Sequence, residues 1–412
     1  MQMSTKSAHK QRVIDVDAHI IEPYDLWTSR VAKKWGDLVP HVKRVTEAQT
    51  TTWSMTRPGD DVWIMGPEDH HTEVTGGIPV GCFGMAGFDR PLPEHPRSND
   101  EMVPGAYDPG ARLRTMDEYG IHAQILYPNV GGFGGGGFLA LEDADLKREC
   151  VKAFNDFMHD WCSEDPGRLI PLISTPFWDL EFTLAEVRRC AALGHRGLLF
   201  TWSPEKYGQP YLADPYWNPL WDLCSQLELP INFHIGSGSF EVKLGWSGNG
   251  FQTNFAKASM VGAFANASAM GEVISSGITL RYPKLRFVVV ESGVGWIPFA
   301  LEMLKWQWDS SGVYEERPEF RDNSPLDIFK KSIFTTFWFE NHSVKAALDF
   351  LGDDNIMFET DYPHPTSVAP GPNTLAKNPI DHIEDRFADS GLTSETVQKL
   401  LYDNAAKLYR IG

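Results

Sequence analysis

A barrel of eight parallel strands, each followed by a helix, is the fold class this sequence predicts, and three observations predict it. Short apolar runs recur along the 412 residues, helical patterns separate them, and polar residues able to bind a metal stand where several of the runs end. The first run, Val13 to Val16, leads straight into Asp17 and His19. Residues two apart on a strand point the same way, so this carboxylate and this imidazole converge at the strand's end.

The regular order resumes at Gly110. A helix over 111–119 ends at Gly120, and 121–127 reads as the second strand. The loop Asn129 to Gly137 holds GGFGGGG. It lacks both the spaced glycines of a dinucleotide site and the Gly-Lys-Ser/Thr of a phosphate loop, so a flexible lid is expected. Helix 143–161, strand 168–175, helix 179–193 closed by Gly194, and strand 196–200 follow. In the second half, helix 216–227 precedes the fifth strand, 230–234. Strands 285–290, 332–337 and 355–360 complete the eight, with helices at 297–308, 343–351 and 394–409.

Between the first strand and Gly110 the periodicity is lost. A structureless loop of that length is improbable, so 26–109 is expected to be an insertion with short elements over the face where Asp17 and His19 emerge, within a single barrel domain spanning 1–412. Inside it Asp69, His70 and His71 are adjacent, and adjacent side chains diverge, which argues against metal binding there.

Composition narrows the partners. With 42% hydrophobic residues the chain can bury a large core, and a net charge of −18 repels nucleic acid and anionic membrane surfaces. The five cysteines lack Cys-x-x-Cys spacing and read as reduced thiols of a cytoplasmic protein. The start of the chain lacks an apolar signal core, and no run of about 18 apolar residues occurs, so neither export nor a membrane span is expected.

In such a barrel the C-terminal ends of all strands open on one face, which carries the chemistry. Asp17 and His19 end strand one, His234 strand five, Glu291 strand six and Asp361 strand eight. His122 and His195 fall at strand starts, on the opposite face, and read as structural. Glu22 either joins the set or makes a loop contact before Pro23. His364 either orients a ligand or binds substrate, or is a turn residue held by Pro363 and Pro365, and Trp296 and Trp338 are placed to line a pocket.

Val-Asp-Ala-His at strand one, His234 at strand five and Thr-Asp361-Tyr-Pro-His at strand eight resemble the amidohydrolase superfamily. Within it the match is to the branch of aminocarboxymuconate semialdehyde decarboxylase and the benzoate-type decarboxylases. The resemblance implies that Asp17, His19, His234 and Asp361 bind a divalent metal, zinc or manganese, with Asp361 also handling a proton. One position departs from the pattern. Where those decarboxylases place a histidine followed by Gly-Glu after strand six, this chain has Glu291-Ser-Gly.

Glu291 is then either a proton shuttle or a further ligand. With Glu22 the set holds two histidines and four carboxylates, which suits iron or manganese and, by charge, two ions. This is similar to the superfamily's dinuclear iron or manganese–iron hydroxylases. Three catalytic readings follow. The favoured one is an O2-dependent hydroxylase (monooxygenase) with two Fe or Mn/Fe, which would need an electron donor. The others are a hydrolase that uses metal-activated water and a non-oxidative decarboxylase, either with a single Zn or Mn. A barrel that only supports an active partner is a fourth, non-catalytic reading. The expected partners are a small-molecule substrate and, by resemblance, a second barrel in a homo- or hetero-oligomer.

Overall fold

The computed structural model describes residues 12–47, 49–50, 55–66, 76–238, 250–340, 342–369, 379–387 and 390–412. Asp69, His70 and His71 lie outside them. The eight expected strands all form: β1 (Val13–His19), β2 (Ile121–Tyr127), β3 (Leu169–Pro171 continuing as Ile173–Ser174), β4 (Leu198–Leu199), β5 (Ile231–His234), β6 (Phe287–Val290), β7 (Ile333–Phe337) and β8 (Ile356–Phe358). Successive strands pair in parallel. The ring closes between β8 and β1 through an Ala18–Tyr362 bridge, with Asp361 N–H donating to the Asp17 carbonyl at 2.9 Å and His19 N–H to the Tyr362 carbonyl at 2.6 Å. The closing seam therefore runs through residues that the sequence marks as candidate ligands.

Helices on the outside are α1 (Pro109–Tyr119), α2 (Ala144–Cys162), α3 (Leu180–Ala192), α4 (Asn218–Leu227), α5 (Phe251–Ser276), α6 (Ile297–Ser311) and α7 (Ser343–Leu351). Local chemistry sets their ends. Asp108, Asp143 and Asp179 accept from N-terminal amides of α1, α2 and α3, and Gly120 closes α1 in the left-handed region. The helix expected over 394–409 is instead broken into Ser394–Gln398, a π turn at Lys399–Asp403 and Asn404–Tyr409. Its last segment plugs the bottom of the barrel, where the Tyr409 and Tyr127 hydroxyls both donate to Asn232 Oδ1.

The 26–109 stretch does carry short elements, among them a helix (Leu26–Arg30) and an antiparallel sheet of His41–Arg44, Asp61–Ile64 and Gly76–Pro79. It reaches the barrel mouth: the amides of Met85 and Ala86 both donate to the Pro363 carbonyl. No helix among the described residues is long and apolar enough to cross a membrane.

His195, at the start of β4, is buried and places Nδ1 3.1 Å from the Leu172 carbonyl. Burial pushes its pKa down from 6.5 to about 4, against the raising effect of that contact. The unfolded chain thus takes a proton near pH 6.5 that the folded chain refuses until about pH 4, so stability falls as pH drops across this window, by about 3 kcal/mol at its lower end. Urea unfolding of His195→Gln at neutral pH and near pH 4.5 is expected to show less acid destabilisation than the parent chain.

Candidate metal centre

The strand ends bring five of the proposed side chains to one buried point. Asp17 leans between two imidazoles, with Oδ1 3.3 Å from His19 Nε2 and Oδ2 3.3 Å from His234 Nε2. His19 Nε2 is also 3.5 Å from Asp361 Oδ1, and His234 Nε2 is 3.3 Å from Glu291 Oε2. The far nitrogens are held by backbone, His19 Nδ1 by the Pro128 carbonyl at 3.1 Å and His234 Nδ1 by the Ile235 carbonyl at 2.8 Å. With Nδ1 donating, each ring turns the Nε2 lone pair inward, as a metal ligand requires.

Both Asp17 carboxylate oxygens, both inward Nε2 atoms and Asp361 Oδ1 are buried and make no hydrogen bond within the protein. Leaving five polar atoms so placed is expensive unless they share a cation. Three ligand groups, each with its atoms within 4.8 Å, can be drawn among them: Asp17–His19–His234, His19–Asp361–His364 and Asp17–Glu291–Asp361. The donors are imidazole nitrogens and carboxylate oxygens, which fit manganese, iron or zinc.

Backbone strain accompanies the two acids. Glu291 and Asp361 have φ of 55° and 58°, the left-handed region that a residue with a Cβ enters only at a cost. Glu291 is held there by its amide, which lies 3.1 Å from Thr336 Oγ1 and 3.2 Å from Glu359 Oε2. Thr366 Oγ1 donates to Asp361 Oδ2.

The electrostatics are those of crowded acids. Burial, then the charges of Asp361 and Asp17, raises Glu291 well above the usual carboxyl range. Burial works to raise Asp17 too, but His234 and His19 outweigh it and hold Asp17 low. His19 is pushed down to about 4, first by burial and then by His364. His234 goes the other way, because Asp17 overcomes its burial. A divalent cation would relieve the repulsion among the carboxylates.

Glu22 stands apart from this point. Its Oε1 accepts from the amides of Asn129 at 2.7 Å and Val130 at 3.0 Å, the loop contact and not the inward position, because the chain turns away after His19. Glu22→Gln keeps an acceptor for both amides, so its metal content by elemental analysis is expected to match that of the parent chain.

His364 is at the centre. Its ring stacks on His19 at 3.6 Å, Nδ1 is 2.9 Å from Asp361 Oδ1 and Nε2 is 2.7 Å from Asn129 Oδ1. Trp296 and Trp338 lie in the loops after β6 and β7 and belong to none of the three ligand groups. The indole of Trp296 donates to the Ser292 carbonyl, and Trp338 packs edge-on against Phe339.

The glycine-rich loop is packed, not open. A Cβ on Gly135 would meet the Thr175 carbonyl at 2.6 Å and one on Gly137 the Val130 carbonyl at 2.7 Å, so these glycines permit close backbone approach where a flexible lid was expected. The loop's Phe133 ring lies 4.2 Å from His234 and 5.3 Å from His19, and Phe83 of the insertion lies 5.4 Å from His364.

Two parts of the site were not read from the sequence. Glu359, fully buried two residues before Asp361, holds the Glu291 amide, and burial followed by the charge of Asp17 raises it well above the usual range. Strand alternation from Asp361 back through Met357 was the available signal. Phe133, hidden among glycines, had none beyond its place in the loop.

A family model described as Amidohydrolase matches residues 14–411, and the chain belongs to that family. Its resemblance is to the branch of aminocarboxymuconate semialdehyde and dihydroxybenzoate decarboxylases. The gamma-resorcylate decarboxylase of Polaromonas sp. (strain JS666 / ATCC BAA-500) is 24% identical over 312 residues, covering 73% of this chain and 87% of that protein. An amidohydrolase from Mycobacterium avium subsp. paratuberculosis K-10 shares the fold at a TM-score of 0.65 and 21% identity, over 97% of this chain and 99% of the other. The 5-carboxyvanillate decarboxylase of Novosphingobium aromaticivorans DSM 12444, solved with manganese and 4-hydroxy-3-methoxy-5-nitrobenzoic acid, aligns at 0.55 and 20% identity over 74% and 81% of the chains. Two of these proteins are named as decarboxylases and one was solved with manganese, which favours neither the iron pair nor the oxygen chemistry expected above.

Proposed function

We propose that this chain is a metal-dependent, non-oxidative decarboxylase of a small hydroxy-substituted aromatic carboxylate. The observation that carries the reading is the convergence of Asp17, His19, His234 and Asp361, with unpaired buried atoms turned inward, beside Glu291, an acid whose pKa burial pushes upward. The decarboxylase relatives support the reaction class and the substrate class.

Asp17, His19, His234 and Asp361 would hold the metal, which when bound supplies positive charge to grip a carboxylate and a neighbouring hydroxyl. Cleavage of the bond to the carboxylate leaves an electron pair on the ring carbon and frees CO2. Glu291 then gives its proton to that carbon, so the atoms balance with one proton consumed from solvent per turnover. Phe133 and Phe83 keep water from the reacting carbon, and His364, tied to Asp361 and Asn129, is placed to meet the substrate.

A second reading keeps the O2-dependent hydroxylase. It is favoured by one observation, the group Asp17–Glu291–Asp361, which offers a place for a second ion sharing Asp17 and Asp361 with the first. The experiment that separates the two is turnover of a hydroxybenzoate panel under argon in D2O. Decarboxylation releases CO2 without oxygen and leaves one deuterium on the product ring. Product that forms only in air, with oxygen added to carbon, overturns the decarboxylase reading.

A further inference from the structure

We propose that the glycine-rich loop after β2 is a rigid bracket that fixes Phe133 as a specificity-determining contact, selecting a flat aromatic ring over a saturated ring with the same substituents. This specificity rests on the substrate class proposed above and narrows it. Phe133 is the one residue of the run 131–137 that is not glycine. Three imidazoles lie within ring-contact distance of it, His234 at 4.2 Å, His19 at 5.3 Å and His364 at 6.2 Å. All three histidines are buried, whereas Phe133 keeps part of its surface open. Its ring therefore stands between the inward ligand atoms and the barrel mouth, and a molecule that reaches those atoms meets it.

Backbone contacts make the loop a bracket. At its root the amides of Asn129 and Val130 both donate to Glu22 Oε1, and Asn129 Nδ2 donates to the Ile20 carbonyl at 2.5 Å. Glu22 thus gains a role, as the anchor of this loop. Within the loop, the Gly135 amide donates to the Gly132 carbonyl and the Gly137 amide to the Gly131 carbonyl, each at 3.1 Å. Outside, the loop rests on the ends of three strands. A Cβ on Gly134 would meet the Ser237 carbonyl beyond β5 at 2.8 Å and the Thr201 backbone nitrogen beyond β4 at 3.2 Å, while Gly135 approaches Thr175 beyond β3. Gly132 and Gly135 also take φ of 77° and 80°, which a side chain would resist. A loop anchored at its root, cross-bonded and seated on three strand ends holds its one ring still.

A fixed aromatic face discriminates by ring type. Another aromatic ring can pack against it offset or edge-on, a gain of roughly 3–10-fold in affinity beyond the burial of its area. A saturated six-membered ring is puckered, carries hydrogens on both faces, and gains only the burial. Phe83, 5.4 Å from His364, adds a second aromatic wall to the same mouth.

The test is calorimetric titration of the metal-loaded full chain with 2-nitrophenol and with 2-nitrocyclohexanol. Each carries a nitro and a hydroxyl group on adjacent carbons, and neither has a carboxylate to lose. Binding is read without turnover, so the result stands whether or not the chain releases CO2 under argon. Wild type is expected to bind the aromatic probe about 10-fold more tightly. Phe133→Leu should keep its metal and lose this preference, and Phe133→Tyr should retain it. Gly134→Ala, which pushes the loop off Ser237 and Thr201, should lose it as the leucine variant does. An unchanged preference in metal-loaded Phe133→Leu or Gly134→Ala overturns the proposal. So does wild type that binds neither probe, or both equally.

Discussion

Asp361→Asn is expected to lose most of its bound metal and at least ~10³-fold in turnover, because the substitution removes one of four ligands and several kcal/mol of charge stabilisation at the reacting group. Asparagine is the informative replacement. It matches aspartate in size, tolerates the left-handed backbone that Asp361 adopts at φ 58°, and keeps one oxygen that can still accept from Thr366, while the position that faces His364 becomes an NH2. Fold and seam should therefore survive while the anionic ligand does not. Metal per chain and the thermal midpoint, measured on the same sample, separate the two effects. Full metal retention with normal turnover would remove Asp361 from the ligand set.

Glu291→Gln is the second large effect and distinguishes acid from ligand. As the proton donor, Glu291 can be replaced by glutamine with metal content unchanged and turnover down by about 10²–10⁴-fold, the range of a lost general acid. As a ligand, its replacement lowers the metal content itself. The metal-free protein adds a stability signature. Folding raises the pKa of Glu291 above its ordinary value, so the parent chain loses stability as pH rises beyond the unfolded carboxyl range, and the neutral glutamine does not. Metal-free Glu291→Gln is expected to be the more stable chain at neutral pH, and the difference should shrink towards pH 4.

The residues that the sequence made legible share a simple geometry. Asp17, His19, His234, Glu291 and Asp361 each stand at or just past the C-terminal end of an apolar strand, so barrel topology alone turns their position into convergence. His122 and His195 were separated from them by the same rule. His195 is bound to the Leu172 carbonyl, and His122 pairs with Arg12 and the Gly412 carbonyl. Of the two readings left open for Glu22, the structure places it at the loop contact: after His19 the backbone leaves the strand, and the carboxylate reaches two loop amides. Glu359 was missed because it lies inside the last strand's apolar run, where an acid is not expected. Helix α5 was expected between strands five and six but without a range, since its alanine, glycine, serine and asparagine residues blur the apolar period that would set its ends. The path of 26–109 depends on contacts such as those of Met85 and Ala86 with Pro363, which no local pattern encodes.

Metal content per chain tests the central claim most directly, measured by elemental analysis on protein produced with manganese, iron and zinc supplied in turn. The account predicts one divalent ion per chain, with manganese supporting CO2 release under argon. Two iron ions per chain with turnover only in air would contradict it, and protein that binds no metal yet turns over normally would contradict the site itself.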